Sequence, residues 1–250
     1  MLKPPFATLR ENGHLSVVYV DDSILMGETY LECSHNIADT VSILTSLGFY
    51  IHPVKSVLVP TQEITFLGFV LNSVNMTISL TNKKKQKIHD MAIEILNSRE
   101  VCIRKLASFI GNIVASFPAV PYGRLYYRYC EHEKVIGVAI QGSYDGVIHL
   151  SKRAIDEIRW WKCHIMESFA SLEPRPVVDK IVYSDASNLG WGIHSEDNEA
   201  IGGRWTPQEL ELHSNITELK AASLTVMCYS EGYKHIRVMT DSSTAVKLHQ

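Results

Sequence analysis

Two adjacent aspartates near the start of this 250-residue chain have the residue type and the setting of a metal-binding site. Asp21 and Asp22 lie between an apolar, largely β-branched run at 15–20 and a shorter run at 23–26, which predicts a hairpin with both carboxylates at its tip. Like charges this close repel each other, and a divalent cation relieves the repulsion. The residues alone leave two interpretations open: a metal site for phosphoryl transfer, or an Asp-Asp turn on a solvated hairpin.

Three further carboxylates stand at strand ends and at a helix start nearer the other end of the chain. Asp185 and Asp241 each follow an apolar, β-branched run, and Glu218 lies early in a helix whose predicted N-cap is Asn215. Each has an ordinary explanation, because Asp commonly follows a strand and Glu suits the N-terminal end of a helix. Their joint occurrence also fits a metal site, since Mg²⁺ prefers hard carboxylate oxygens.

Positive charge is concentrated between residues 81 and 128, where nine Lys and Arg accompany three Asp and Glu, although the net charge of the chain is −3. Four lysines crowd the start of a predicted helix, the unfavourable end for cations in the helix dipole: Lys83, Lys84, Lys85 and Lys87. A phosphate-binding surface and a solvated helix face both explain them. Arg124 and Arg128 flank tyrosines, a pattern typical of base stacking with phosphate binding and equally of packing with snorkelling arginines.

The apolar periodicity predicts alternating strands and helices, and therefore an α/β (α+β) chain. Predicted strands, besides the hairpin, lie at 49–51, 55–59, 64–71, 177–183, 190–193, from about 202 and at 236–239. Predicted helices lie at 28–47, from an N-cap at Thr81, at 101–117, from an N-cap at Ser151 to 167, from Asn215 and at 244–249. The stretch 131–150 is weakly patterned, and the proline-rich stretch 173–176 predicts a domain boundary.

The composition is that of a globular chain, with 46% hydrophobic and 20% charged residues, and it excludes an extensively disordered protein. The five cysteines are widely spaced without a C-x-x-C pair, which argues against a structural zinc site and favours a reduced, intracellular setting. The N-terminus has no apolar signal-peptide core, and no apolar run is long enough to span a bilayer. We therefore expect an intracellular protein without a membrane segment.

The sequence Tyr19-Val20-Asp21-Asp22, framed by apolar strands, resembles the Tyr-x-Asp-Asp signature of reverse transcriptases. The resemblance extends through Gly48-Phe49 and Lys55-Ser56. It implies that Asp21 and Asp22 are catalytic metal ligands and that Tyr19 contacts nucleic acid.

A second part of that resemblance is Phe66-Leu67-Gly68-Phe69, because a Leu-Gly pair at about this distance forms the primer grip of the family. Phe66, Leu67 and Gly68 are accordingly expected to contact nucleic acid. The resemblance implies that 1–80 is the C-terminal half of a polymerase palm, that 81–135 forms thumb-like helices and that 136–175 is a connection.

Asp185, Glu218 and Asp241 match, in order and rough spacing, the first three carboxylates of ribonuclease H. Gly190-Trp191-Gly192 and Glu218-Leu219-Lys220-Ala221 add to this match. The resemblance implies a partial ribonuclease H-like α/β domain at 176–250, with the three carboxylates as catalytic metal ligands.

The residues around Glu218 also resemble a particular version of that domain. Trp205, Glu209, His213 and Asn215-Ile216 are similar to the pattern in tyrosine-recombinase-type (DIRS-like) retrotransposons. The sequence assigns no role to Glu209 or His213.

Both resemblances imply chemistry with Mg²⁺ or Mn²⁺, in which two ions ~4 Å apart stabilise the attacking and leaving oxygens. In the palm, the 3′-hydroxyl of a DNA primer attacks a deoxynucleotide triphosphate on an RNA template. In the second domain, water attacks the RNA strand of an RNA–DNA hybrid, and the 2′-hydroxyl distinguishes RNA from DNA. The implied partners are these nucleic acids, the nucleotides and the rest of a retrotransposon pol polyprotein, in the cytoplasm or the nucleus.

The family pattern extends beyond this sequence at both ends. Its third palm aspartate lies well before the hairpin, whereas the only acidic residue before Tyr19 is Glu11, and its fourth ribonuclease carboxylate lies beyond Gln250. We expect the chain to be inactive or nearly inactive as a polymerase, while three ribonuclease ligands allow residual nuclease activity. The alternative is a domesticated or decaying remnant that only binds nucleic acid, through Lys83–Lys87 and Arg124–Arg128.

Overall fold

A computed structural model describes residues 2–174 and 176–242, and the chain divides into two units, Met1–Glu173 and Pro174–Gln250. The described residues form a mixed α/β structure, which confirms the predicted class. The helix predicted at 244–249 lies outside them. The helices are α1 (Lys3–Glu11), α2 (Tyr30–Ser46), α3 (Asn82–Asn97), α4 (Ile103–Val114), α5 (Arg128–Gln141), α6 (Lys152–His164) and α7 (Ser214–Tyr229).

The strands form four sheets among the described residues. The first unit contains β1 (Leu15–Tyr19), β2 (Asp22–Met26), β3 (Glu63–Phe66), β4 (Phe69–Asn72), β5 (Thr77–Leu80), β6 (Val101–Cys102), β7 (Val147–Ile148) and β8 (Phe169–Ser171). The second unit contains β9 (Lys180–Ala186), β10 (Gly190–Ser195), β11 (Ala200–Arg204) and β12 (Ile236–Met239). The sheet orders are β1-β2, β3-β4-β5-β8, β6-β7 and β11-β10-β9-β12.

A small hydrophobic core supports the aspartate hairpin. β1 and β2 pair antiparallel, and α1 and α2 pack around them with Phe6, Leu9 and Leu44 at the centre of the core. The buried Asn36 of α2 donates hydrogen bonds to the carbonyls of Leu15 and Met26 at the open end of the hairpin. Because a buried amide left without partners would be costly, this contact fixes the helix to the hairpin.

The predicted single strand at 64–71 is wrong, because the chain reverses in its middle. Leu67 and Gly68 form a two-residue loop between β3 and β4, and Phe66 pairs with Phe69. Both loop residues have a positive φ, 51° and 79°, as the tightest right-twisted hairpins require. The strands predicted at 49–51 and 55–59 are also wrong, since those residues lie in loops and turns.

Four helices enclose the main core of the first unit. α3, α4, α5 and α6 pack around a cluster that includes Leu106, Phe109 and Trp161, each 0% exposed. The predicted N-caps Thr81 and Ser151 are confirmed, because their side chains accept hydrogen bonds from the backbone N–H groups three residues on. Helix α5 lies largely in the stretch 131–150, where the sequence shows only weak patterning.

The second unit is a four-stranded sheet with α7 packed against it. β10 pairs antiparallel with β9 and β11, whereas β12 runs parallel to β9. Val182 and Ile193 form the core together with Tyr229 of α7. The N-cap of α7 is His213, whose ring accepts a hydrogen bond from the Asn215 N–H; the prediction that Asn215 is the cap is therefore wrong.

All five cysteines are free thiols, and their environments range from buried at Cys130 to exposed at Cys163 and Cys228. Burial raises the pKa of the Cys130 thiol, which keeps it protonated and unreactive near neutral pH. Within residues 2–174 and 176–242, no helix combines the length and apolarity needed to cross a lipid bilayer.

Candidate metal centre and nucleic-acid surfaces

Three carboxylates of the second unit converge on one point. One ligand oxygen from each of Asp185, Glu218 and Asp241 lies within 4.8 Å of the others. Asp185 and Asp241 are exposed and Glu218 is half-buried, so solvent reaches the cluster. In the described part of the chain, no other set of three or more His, Cys, Asp and Glu side chains is arranged to hold a metal ion.

The parallel pairing of β9 and β12 explains why two of these side chains meet. Tyr183 and Met239 are register partners, and Asp185 and Asp241 each follow their partner by two residues. Because side chains alternate along a strand and the strands run in the same direction, both carboxylates reach the same edge. Glu218, the fifth residue of α7, is added by the packing of that helix on β9.

One oxygen of the Glu218 carboxylate, Oε2, is buried without a hydrogen-bond partner. Its burial carries a desolvation cost that a bound group would relieve. Burial raises the pKa of Glu218, and the negative charges of Asp185 and Asp241 raise it further. An all-oxygen donor set with one orphaned buried oxygen fits Mg²⁺ or Mn²⁺.

The hairpin of the first unit presents its two aspartates differently from the prediction. Its two-residue loop consists of Val20 and Asp21, while Asp22 is already paired with Tyr19 in β2; only one aspartate therefore occupies the tip. Val20 has a φ of 56°, a region that β-branched residues rarely adopt and that marks local strain. Asp21, Asp22 and Tyr19 are exposed.

The aspartate pair has no third ligand nearby in the part of the chain that the structure describes. Among the residues that the structure describes, no further His, Cys, Asp or Glu joins Asp21 and Asp22 in a cluster of metal-binding geometry. The described hairpin thus supplies two carboxylates, in contrast with the three of the second unit.

The Leu67–Gly68 loop is hydrogen-bonded to a lysine in the first turn of α3. The Lys84 ammonium donates a hydrogen bond of 2.9 Å to the Leu67 carbonyl and lies 5.2 Å from the centre of the Phe69 ring. A Cβ atom on Gly68 would come within 2.2 Å of Lys84 Nζ, so the glycine leaves room for the lysine. Leu67 is exposed, and Phe66 and Gly68 are half-buried.

The remaining lysines of α3 divide into surface and interior residues. Lys83 and Lys87 are exposed and four residues apart, so they share one face of the helix. Lys85 is only 8% exposed and donates to the Met166 carbonyl at 3.0 Å, and burial lowers its pKa. Its position contradicts the expectation that it faces a phosphate backbone, because its ammonium is already used inside the unit.

The two candidate arginines lie over aromatic rings. The Arg124 guanidinium is 5.8 Å from the Phe117 ring centre, and the Arg128 guanidinium is 5.0 Å from that of Tyr127. Both side chains are exposed. The guanidinium groups themselves therefore contact aromatic rings.

Sequence reasoning assigned no role to Glu209, which is bonded to two parts of the second unit. Its carboxylate pairs with Lys220 of α7 and accepts hydrogen bonds from the N–H and hydroxyl of Thr206. Lys220, followed by Thr206, lowers the pKa of Glu209 to about 2. The Thr206–Glu209 pair has the Thr-x-x-Glu spacing of a capping box, a local signal that the sequence contains. The contact with Lys220 joins two separate segments and has no such signal.

An open pocket of about 350 Å³ adjoins the carboxylate cluster. Asp185 lines it on one side, and Gly190, Gly192, Trp191 and Arg204 contribute to the rest. A cationic side chain beside a carboxylate site is suited to a phosphodiester.

No protein-family model and no curated protein sequence matches the chain. Solved structures do resemble it. A foamy viral protease–reverse transcriptase in complex with an RNA/DNA hybrid matches with a TM-score of 0.56 and 20% identity, over 98% of this chain and 33% of that one. The same protein with double-stranded DNA matches with a TM-score of 0.54 and 20% identity, over 98% and 50%.

A third structure, the foamy viral protease–reverse transcriptase dRH with double-stranded DNA, gives a TM-score of 0.53 and 20% identity over 98% and 42% of the two chains. This chain thus spans between a third and a half of the length of these proteins. At this identity the likeness concerns the fold: the chain has a reverse transcriptase/ribonuclease H-like fold.

Proposed function

We propose that this chain is the reverse transcriptase–ribonuclease H region of a retrotransposon pol polyprotein of DIRS-like type. The second unit would hydrolyse the RNA strand of an RNA–DNA hybrid. The observation that carries the proposal is the convergence of Asp185, Glu218 and Asp241 within 4.8 Å. The likeness in fold to foamy viral protease–reverse transcriptase supports it.

The three side chains would hold Mg²⁺ or Mn²⁺, which when bound activates water and stabilises charge on the scissile phosphate. Asp185 and Asp241 supply exposed oxygens at the sheet edge, and Glu218 supplies the buried oxygen that has no protein partner. Arg204, at the pocket beside Asp185, is placed to bind a phosphate of the hybrid. The unit therefore provides both charge signs that a phosphodiester substrate requires.

The test is cleavage of a labelled RNA–DNA hybrid by the whole chain with Mg²⁺, compared with the Asp185→Asn, Glu218→Gln double variant. We expect cleavage by the wild type and a loss of at least about 100-fold in the variant, because two of three ligands lose their charge. The matched control is double-stranded DNA, which lacks the 2′-hydroxyl and should remain intact. Equal cleavage by both proteins would reject the site.

A second candidate activity is RNA-templated DNA synthesis at the hairpin, which we expect to be absent or very weak because the described hairpin supplies only two carboxylates. Asp21 and Asp22 are exposed beside Tyr19, and the Leu67–Gly68 loop would contact the primer. We propose on this basis that 1–80 is a palm, 81–135 a thumb and 136–175 a connection. Primer extension with deoxynucleotide triphosphates, measured on the same preparation, separates this activity from hydrolysis.

The alternative, a remnant that only binds nucleic acid, keeps the basic surface and loses both chemistries. It predicts salt-sensitive binding of a hybrid without cleavage or extension. Lys83, Lys87, Arg124 and Arg128 are the exposed cations proposed to contact phosphates in either case, with Lys84 holding the Leu67 carbonyl.

The paired substitution Lys83→Gln, Lys87→Gln is expected to weaken hybrid binding and to reduce the slope of log K against log salt. Each lost phosphate contact lowers that slope by about 0.9. Lys85→Gln is the control, since it removes one positive charge of the same helix from a buried site, and its slope should stay at the wild-type value. Fluorescence anisotropy over a salt series provides the measurement. A smaller slope of log K against log salt for Lys85→Gln than for the paired variant would contradict the assignment of Lys83 and Lys87 as phosphate contacts.

A further inference from the structure

The segment between β11 and α7 contains two residues, Trp205 and Glu209, that form contacts with the elements carrying the metal-site carboxylates. Trp205 is 6% exposed, and its indole N–H donates a hydrogen bond of 2.9 Å to the Ser187 carbonyl. The Trp205 backbone N–H donates to the Leu189 carbonyl at 3.1 Å. Trp205 is thus bonded twice to the turn that follows Asp185.

The turn itself is organised around Ser187. Its hydroxyl oxygen accepts hydrogen bonds from the N–H groups of Leu189 and Gly190, both at 3.2 Å. The hydroxyl also donates to the Gly190 carbonyl at 3.1 Å. The hydrogen bonds of the Ser187 hydroxyl hold the turn together. The indole of Trp205 binds the Ser187 carbonyl of this turn, and this contact fixes the end of the preceding strand, where Asp185 lies.

Glu209 links the same segment to helix α7. One carboxylate oxygen accepts from the Thr206 N–H at 2.7 Å and from the Thr206 hydroxyl at 2.8 Å. The other pairs with the ammonium of Lys220, two residues after Glu218 on α7. Trp205 and Thr206 are adjacent, so a single short segment is bonded both to the turn that follows Asp185 and to α7, the helix that carries Glu218.

We propose that Trp205 and Glu209 are positioning residues that hold Asp185 and Glu218 at metal-binding distance. The inference rests on the proposed metal site. Two carboxylates repel each other in the absence of a cation. Contacts that hold the turn after Asp185 and the helix of Glu218 in place reduce the conformational entropy that is lost when a metal ion binds. Loss of a hydrogen bond made directly to a metal ligand typically lowers metal affinity about 10–100-fold. Trp205 and Glu209 act one contact further from the ligands, so we expect effects at the lower end of that range.

The experiment measures Mn²⁺ binding to the whole chain by electron paramagnetic resonance, without substrate. Trp205→Phe keeps an aromatic side chain, although a smaller one, and removes the N–H donor. Glu209→Gln removes the charge that pairs with Lys220. We expect each to raise the Mn²⁺ dissociation constant about 10-fold. If Trp205→Phe unfolds, Glu209→Gln, which preserves the side-chain shape, decides the result.

Glu199→Gln is the matched control. Glu199 is also a carboxylate paired with a lysine, Lys180, but at the opposite end of β9. Lys180 and Asp185 are five positions apart along β9, roughly 16 Å of strand. We expect this variant to lose thermal stability and to keep the wild-type dissociation constant. Affinities of Trp205→Phe and Glu209→Gln within twofold of the control would overturn the proposal.

The result also separates this inference from the proposed hydrolysis. Weaker Mn²⁺ binding in the two variants of a protein that fails to cleave hybrid supports the positioning role and rejects the activity. Cleavage by the wild type together with unchanged Mn²⁺ affinity in the variants supports the hydrolytic activity and rejects the positioning role. A wild type that binds no Mn²⁺ at millimolar concentration rejects both.

Discussion

Glu218→Gln is expected to stabilise the second unit in metal-free buffer and to abolish most hybrid cleavage. The pKa of Glu218 is raised by burial and by the charges of Asp185 and Asp241. A carboxyl with a raised folded-state pKa favours folding while protonated, and this contribution is lost as the pH rises through that pKa. Above that pKa the charged side chain therefore disfavours the folded state, and glutamine removes the effect.

Calorimetry in chelator and in Mg²⁺ provides the measurement. A domain of this size gains roughly 4–8 °C in Tm for each kcal/mol, so the variant should melt measurably higher in chelator near pH 7. The difference should shrink as the pH falls below the Glu218 pKa. Mg²⁺ should stabilise the wild type more than the variant, while the cleavage rate falls by about 100-fold or more. A lower metal-free Tm with equal Mg²⁺ stabilisation would contradict the metal site.

Trp161→Ala is expected to cause the largest loss of stability in the first unit. Trp161 is 0% exposed, and its indole N–H donates a 2.6 Å hydrogen bond to the Tyr126 carbonyl. Removing a buried tryptophan side chain costs about 3–5 kcal/mol through lost burial and cavity formation. A transition of this unit should accordingly fall by roughly 6–20 °C.

The neighbouring tryptophan is the control. Trp160 is half-buried and stacks on Tyr126, with ring centres 4.2 Å apart. Trp160→Ala should cost less because part of the ring is already in contact with water. Urea denaturation followed by far-ultraviolet circular dichroism compares the two; a larger effect at Trp160 would show that the core is centred elsewhere.

Local features of the fold were predictable because they depend on neighbouring residues. Thr81 and Ser151 cap helices through hydrogen bonds to N–H groups three residues on, a pattern visible in any sequence. Gly48 ends α2 with a φ of 82°, again a local preference for glycine.

Features that depend on distant partners were not predictable. One local reversal was also missed: Gly68 is the only turn-type residue in the run at 64–71, and the leucine before it is an unfavourable residue for a positive φ. β8 joins β5 from about ninety residues farther along the chain, and a three-residue strand has too short a pattern to be recognised.

The carboxylate cluster lies between these cases. Its three members were identified from residue type and order, whereas their convergence depends on the register of β12 against β9. The contacts of Trp205 and Glu209 depend on the path of an irregular segment, so periodicity could not indicate them.

The parallel pairing of β12 with β9 also has a consequence for the order of events during folding. Asp185 and Asp241 are 56 positions apart (185 to 241), and the chain between them contains β10, β11 and α7. Contacts of such large sequence separation close late, since the entropy of the intervening loop must be overcome first. Metal affinity would then be acquired last, and a divalent ion would report completion of the sheet.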